Sequence, residues 1–256
     1  MIHPTALIDP AAELGEGVEV GPYSIIGAEV QIGPGTRIGP HVVIEGPTRI
    51  GADNQIFQFA SIGAVPQDKK YAGEPTELVI GDRNVIRECC TFNRGTVQDK
   101  GKTVVGNDNW IMAYVHLAHD CIVGNHTIFA NNTTLAGHVD IRDYAILGGF
   151  TLVHQFCVVG EYAFTGMGSA LGKDLPPYTM ATGAPAIPRG INTEGLRRNH
   201  FSPEAIQRIR EAYKLLYRRH LPLQDALEAI ESSYGEHDDI RGLLDFCRHS
   251  QRGLIR

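Results

Sequence analysis

Aliphatic residues recur at every sixth position from the start of the chain. From Ile2 the series runs through Ile8, Leu14, Val20, Ile26, Ile32, Ile38, Ile44, Ile50, Ile56 and Ile62, eleven in succession. Glycine often follows at once, as in "IGAEVQIGPGTRIGPHVV". The phase resumes at Ile80, Ile86 and Phe92 and then moves by one residue. It continues through Val105, Ile111, Leu117, Val123, Phe129, Leu135, Ile141, Leu147, Val153 and Val159. Thr165 interrupts the aliphatic rule and Leu171 restores it. A half-buried ordinary sheet alternates with period two and turns at irregular intervals. A fixed beat of six is the pattern of a parallel β-helix, with one short strand for each side of a coil. The expected fold is therefore mainly β. Its aliphatic residues stack inward as a ladder, and glycine takes the tight corner where a side chain would cost strain.

Two polar interruptions, near 63–79 and 93–104, read as excursions from the wall. The beat stops before "LPPYTMATGAPAIPRG", where proline and glycine mark a junction. This divides the chain into a β-helix over 1–188 and a small α-helical C-terminal domain over 189–256. In the latter, "SPEAIQRIREAYKLLYRR" opens as a helix: Ser202 caps it, Pro203 takes the first position and Glu204 the first turn. Ile206, Ile209, Tyr213 and Leu216 recur at helical spacing. Two further helices are expected over about 222–233 and 238–250. The bundle would close an open coil end, since terminal repeats need a cap.

Composition narrows the function. A formal charge of −6 over 256 residues argues against general nucleic-acid binding. That charge is uneven: 1–185 carry 11 Lys/Arg against 19 Asp/Glu, and 186–256 carry 12 against 10. The C-terminal part is the better place to meet an anion. No apolar run reaches membrane-span length, and a signal-peptide pattern is missing at the N-terminus. Five cysteines without a CxxC pair read as reduced thiols in a cytoplasmic protein.

The candidate chemistry lies in "YVHLAHDCIVG", where His116 and His119 are followed by Asp120. These imidazoles could face solvent, hold a metal or move a proton. A catalytic zinc needs three ligands about 2 Å from the ion. His116 and His119 differ in strand parity and should not converge easily on one ion unless the corner turns one of them around. A neutral imidazole can instead take a proton from an attacking alcohol. On a strand, Asp120 should point away from His119, so a hydrogen bond between them requires corner geometry.

The repeats resemble the hexapeptide-repeat acyltransferases, whose left-handed coils are triangular with three hexads per turn. Eighteen residues per coil would then put the hexads opening at Leu117, Leu135 and Val153 on one stacked face. His119, His138 and His154 should cluster there within about two coils. The motifs "AHDCIVGN", "NNTTLAGHV", "LVHQFCVVG", "GEPTELVIGDRNVIRE" and "NRGTVQDKGKTVVG" narrow the resemblance. Over essentially its whole length the chain is similar to the UDP-N-acetylglucosamine acyltransferase family of lipid A biosynthesis. The related N-acyltransferases carry an extra domain before the repeats, which here begin at residue 2.

The resemblance implies a homotrimer, with sites between subunits and without metal or organic cofactor. It would move a 3-hydroxyacyl group from acyl carrier protein to the sugar 3-hydroxyl of UDP-N-acetylglucosamine. By the same matching, His119 is the general base, Asp120 assists it and the Gly137 N–H is the oxyanion donor. His116, His138, His154 and Gln155 line the site. Asp68 and Lys70, in "QDKKY", contact the nucleotide sugar or the acyl group. Asn192, Glu194 and Arg198, in "INTEGLRRNHF", hold the uridine and phosphates. Met167, in "FTGMGSALG", would close the acyl groove early and select a donor of about ten carbons. The chain departs from the family pattern at Asn93 and Asn199. Seven basic residues against two acidic ones over 197–219, among them Arg208, Arg210 and Arg218, suggest where an acidic carrier protein docks.

Overall fold

The computed structural model describes residues 1–256. Each hexad forms a strand of two to four residues, and up to Leu171 every third strand pairs in parallel with the one eighteen or more residues earlier; the last parallel pair, Phe164 with Met180, spans sixteen. The result is a three-sided column. Face I stacks nine strands from Leu7–Ile8 to Ala170–Leu171, and face II stacks eight from Glu13–Leu14 to Val158–Val159. Face III runs from Glu19–Val20 to Thr179–Thr182 and ends on the antiparallel strand Ile187–Ile191. That last strand runs through position 188/189. The excursions are shorter than the sequence suggests, because strands continue to Ala64 and Asn93 and restart at Glu77 and Lys102.

The six-residue ladder becomes the core. A cluster of 38 buried residues follows it from Val18 to Leu171 and beyond, while Ile2 at the open end stays half exposed. Burying each Ile or Leu side chain contributes about 1.5–3 kcal/mol, so stability accumulates coil by coil. Thr165, the break in the ladder, is fully buried because its hydroxyl has partners: Thr151 Oγ1 at 2.8 Å and Gly148 N–H at 3.0 Å.

The corners differ from expectation in an informative way. The residue in left-handed conformation is usually not glycine: eighteen corners from Tyr23 to Tyr178 place a residue with a side chain at positive φ. Such a conformation is costly for an L-residue in isolation. Here its N–H donates to the coil below, as His138 does to the His119 carbonyl at 3.0 Å and Phe150 to Asn131 at 2.9 Å. The glycines that follow the aliphatic residues serve close approach instead. A Cβ on Gly33 would lie 2.6 Å from the Gly51 carbonyl carbon.

A polar thread runs inside the II–III corner. Asn54 Oδ1 accepts from the Asn84 N–H at 2.9 Å, Asn84 Oδ1 from Asn109 at 3.0 Å, and Asn109 Oδ1 from Thr127 at 2.8 Å. Outside the same corner His126, Tyr144, Tyr162 and Tyr178 stack as a ring ladder, at 4.8, 4.7 and 6.0 Å between successive centroids. Phe201 meets Tyr162 and Tyr178 edge-on, which fixes the C-terminal helices to the column. These are α1 (Thr193–Arg198), α2 (Pro203–Tyr217), α3 (Leu223–Tyr234) and α4 (Asp238–His249). Ser202 caps α2 as its sequence suggests, accepting from the Ala205 N–H at 3.1 Å. Residues 253–256 return to the coil end, where Leu254 bridges Asp174 and Ile255 joins the core. Replacing Asn109→Ala strands the buried N–H and hydroxyl of Thr127 and the carbonyl of Gly124. It should lower the free energy of urea unfolding by about 2–4 kcal/mol, whereas an exposed strand position such as Arg37→Ala should change it by less than about 0.5 kcal/mol.

Candidate active site

The site is built at the I–II corner. Three successive coils pass through it: the first excursion (65–76), the second (94–101), and then the tight turn 118–121. In that turn Asp120 adopts φ 60°, which swings its side chain round to the side of its neighbour. His119 Nδ1 and Asp120 Oδ2 lie 2.9 Å apart. The corner geometry that such a bond requires is therefore present.

Asp120 is wholly buried and well supplied with donors. Its carboxylate accepts from the Thr96 N–H at 3.0 Å and the Thr96 hydroxyl at 2.6 Å, and its own N–H donates to Thr103 Oγ1 at 2.9 Å. With the carboxylate as acceptor, the His119 proton sits on Nδ1 and the Nε2 lone pair is free. The ring rests directly on Gly137, where a Cβ would lie 2.6 Å from Cε1 and 2.7 Å from Nε2. Gly137 thus permits the imidazole to lie where it does. Its N–H, between the paired residues 136 and 138, donates to no protein acceptor.

One coil higher, His138 lies edge-on to His119 with 4.9 Å between ring centroids, and flat on Phe156 at 4.3 Å. His119, Asp120 and His138 bring potential ligand atoms within 4.8 Å of one another. Each Nδ1 is nevertheless engaged with a carboxylate at hydrogen-bond length, His119 with Asp120 and His138 with Asp99 at 2.8 Å. This is an arrangement of imidazole–carboxylate pairs.

The remaining expected residues are more spread. Backbone pairing stacks 154 over 136 and 118, so His154 stands one position before the column of His119, Gly137 and Gln155. It borders an apolar depression of about 500 Å³ on face I with Thr134, Ala136, Leu152 and Pro185, and contacts Arg252 at 3.3 Å. His116 is half-buried on face I and bonds Thr91 Oγ1 at 2.7 Å; burial lowers its pKa, which keeps it neutral. Asp68 and Lys70 lie on the first excursion, where the Lys70 N–H donates to Asp68 Oδ1 at 3.0 Å. Neither bonds the histidine pair. Asn93, buried, braces that excursion through Val65 O at 3.1 Å.

Asn192, Glu194 and Arg198 come together, but at a different edge. With Trp110, Tyr144 and Asn199 they line a cleft of about 480 Å³ beside face III. Asn192 caps the short helix α1, accepting from the Gly195 N–H at 3.0 Å, and donates to Tyr162 O at 2.9 Å. Met167 occupies the third edge, III–I, with 81% of its surface exposed, so it is no core residue. A further depression of about 590 Å³, on face II between Glu13 and Asn107, contains no histidine. Sequence reasoning missed Thr96, Asp99 and Lys100, which the second excursion lays against the corner. Its only signal was polarity. Among the basic helix residues, Arg208 is already paired with Asp239 at 3.1 Å.

Cys121 ends this turn, and Cys157 lies two coils above it in the same column. Burial pushes the Cys121 thiol up to about 12 and the Cys157 thiol up to about 11. Cys121 spends its S–H on Ala136 O at 3.2 Å. Neither is a ready nucleophile at neutral pH.

A column of hexads with an imidazole–carboxylate pair at one corner defines a hexapeptide-repeat transferase, and the coil is the left-handed parallel β-helix of that class. The profile described as bacterial transferase hexapeptide (six repeats) matches residues 11–46 and 102–137. A second, the UDP-N-acetylglucosamine O-acyltransferase domain 2, matches 174–255. The acyl-(acyl-carrier-protein)–UDP-N-acetylglucosamine O-acyltransferase of Thiobacillus denitrificans is 62% identical over 255 residues, covering 100% of this chain and 99% of that protein. That of Halorhodospira halophila is 58% identical over 255 residues, with the same coverage of each. The crystal structure of LpxA from Acinetobacter baumannii superposes with a TM-score of 0.97 at 50% identity, covering 100% of this chain and 99% of its own. The UDP-N-acetylglucosamine acyltransferase of Arabidopsis gives 0.88 at 36% identity, covering 100% of each. The chain belongs to the UDP-N-acetylglucosamine O-acyltransferase family of enzymes.

The contact between Gly137 and the His119 ring yields a test that needs no substrate. In Gly137→Ala the methyl should expel the imidazole and break its bond to Asp120, while the melting temperature moves by no more than about 2–4 °C. Histidine side-chain NMR reads this directly: the Nδ1–H signal of His119 should be lost in the variant and retained in Gly149→Ala, a corner glycine with no contact under 3.4 Å.

Proposed function

We propose that the protein transfers a (3R)-3-hydroxyacyl group from acyl carrier protein to the 3-hydroxyl of UDP-N-acetylglucosamine, directly and without an acyl-enzyme. Family membership supports the reaction, and one observation carries the mechanism: the 2.9 Å bond from His119 to the buried Asp120 carboxylate. It leaves Nε2 as a base for the attacking hydroxyl. As that hydroxyl adds to the thioester carbonyl, His119 takes its proton and Asp120 stabilises the imidazolium. The N–H of Gly137, the residue over which the His119 ring lies, supplies a hydrogen bond to the developing oxyanion. Collapse releases the carrier thiolate. No step calls for a metal or organic cofactor, and the raised thiols fit direct transfer.

The substrate would be held across subunits of a homotrimer. Support comes from the placement of its expected contacts on three different edges: His119 at I–II, Asn192, Glu194 and Arg198 beside III, Met167 at III–I. No single chain can bring those edges to one molecule, whereas three copies packed edge to edge can. His116, His138, His154 and Gln155, with Asp68 and Lys70 of the first excursion, complete the lining. Full activity from a monomer in analytical ultracentrifugation would end the trimer reading. Arg210 and Arg218, on the basic stretch, are offered as carrier contacts; an unchanged KM for the donor in their Glu variants would reject that role.

In an assay with a series of acyl carrier protein thioesters, His119→Ala should lower kcat by about 10²–10⁴. Wild-type activity should survive EDTA. Transfer by His119→Ala at the wild-type rate would remove the base, and its loss to a chelator would favour a metal mechanism.

Donor length is proposed to depend on Met167. The residue stands three coils above Ala113, about 14 Å along the column axis, and its exposed side chain is free to block a groove. A ten-carbon donor is expected. Met167→Gly should raise kcat/KM for the fourteen-carbon donor by about tenfold or more, on the order of 1.4 kcal/mol, and reduce the preference for ten carbons. The same preference in both proteins would refute the ruler.

A further inference from the structure

The second excursion supplies a group that the reaction outlined so far does not use. Asp99 accepts a hydrogen bond from His138 Nδ1 at 2.8 Å. Lys100 Nζ lies 3.5 Å from the same carboxylate and donates to the Asp120 carbonyl at 3.4 Å. His138 is otherwise enclosed by the Phe156 ring on its flat side and by His119 at its edge. Asp120 Oδ2 stands 3.9 Å from its Nδ1. The charged and titratable groups facing His138 are thus Asp99, Asp120, Lys100 and His119, two carboxylates against one ammonium and one imidazole. Burial works against ionisation of Asp99, but the His138 hydrogen bond and the Lys100 charge outweigh it and hold the carboxyl below its ordinary range.

We propose that Asp99 is a positioning residue that makes His138 a second imidazole–carboxylate pair, whose Nε2–H protonates the carrier thiolate as it leaves. The inference rests on the transfer reaction given above. There, the C–O bond forms as His119 Nε2 takes the hydroxyl proton and the carbonyl π pair moves onto oxygen. When that pair returns, the C–S bond breaks with its electrons on sulfur, and the His138 proton passes to them. His119 is then protonated and His138 neutral. Return of one proton from the first ring to the second, through solvent, resets both. The net change is loss of a proton from the sugar oxygen and gain of one by sulfur. Two imidazoles at 4.9 Å divide between them a task that one would otherwise perform at two places.

Asp99 lies on a surface excursion, so Asp99→Asn should fold, which an unchanged melting temperature would verify. It should lower kcat by roughly tenfold with KM for UDP-N-acetylglucosamine within about twofold. A carboxylate hydrogen-bonded to an imidazole favours the protonated ring, so removing the Asp99 partner from His138 Nδ1 should move the alkaline limb of the kcat profile to lower pH. Asp99→Glu should restore most of the rate and the limb. An unaltered kcat, or a lowered kcat with the alkaline limb unmoved, would overturn the role. Histidine NMR separates this failure from a failure of the reaction itself. If the wild-type protein transferred no acyl group, the His138 acid role would fall with the reaction. The titration of His138 in wild type and Asp99→Asn would still show whether the pair exists: a lower pKa in the variant supports it and an identical one rejects it.

Discussion

The structure depends on one constraint, the hydrogen bonding of each coil to the coil below in constant register. Leu117 pairs with Leu135 and Leu135 with Val153, and the same step recurs on all three faces. Because every strand is so short, no single coil could hold itself together. What stabilises it is the neighbour above and below, through the stacked aliphatic core and the backbone ladder. The strained corner conformations persist for the same reason, since nearly all of them donate their N–H to the layer below.

The catalytic geometry follows from that constraint. A left-handed corner residue would be an expensive way to place a carboxylate in an isolated loop. In this column the conformation is already enforced at every edge, so Asp120 can use it to reach back to His119. Gly137 is needed for a different reason, the bulk of the imidazole lying over it. The excursions then enclose the corner from below, and Thr96 fills the acceptor capacity of a carboxylate that would otherwise be buried alone.

Much of this was legible in the sequence. A period of six identified the β-helix, and the capping residues of α2 and the spans of α3 and α4 came within a residue or two. With the three hexads per turn that the family resemblance implies, the period also puts His119 and His138 in adjacent layers. It did not reveal which way the corner turns, so the pairing of Asp120 with His119 was conditional and His154 was placed in one cluster with residues from the next column. The glycines were read as conformational necessities, whereas backbone crowding between layers explains them. Thr96, Asp99 and Lys100 lie in segments without a repeat, and nothing local says where an aperiodic loop folds back. The short helix α1 escaped notice for a similar reason: six residues show too little periodicity, and its cap, Asn192, was read only for its binding role.

The two excursions leave the column and return to it at the same corner, so they uncouple contour length from phase. A single residue lost from a plain corner would throw every later layer out of frame and carry the histidines round to another side. The same loss within 65–76 or 94–101 is absorbed before the next strand begins, as the one-residue shift of the aliphatic beat after Phe92 already demonstrates. Insertions and deletions are therefore tolerated at the very segments that border the reaction centre. Divergence can reshape the surroundings of the chemistry there without disturbing the scaffold that aligns it.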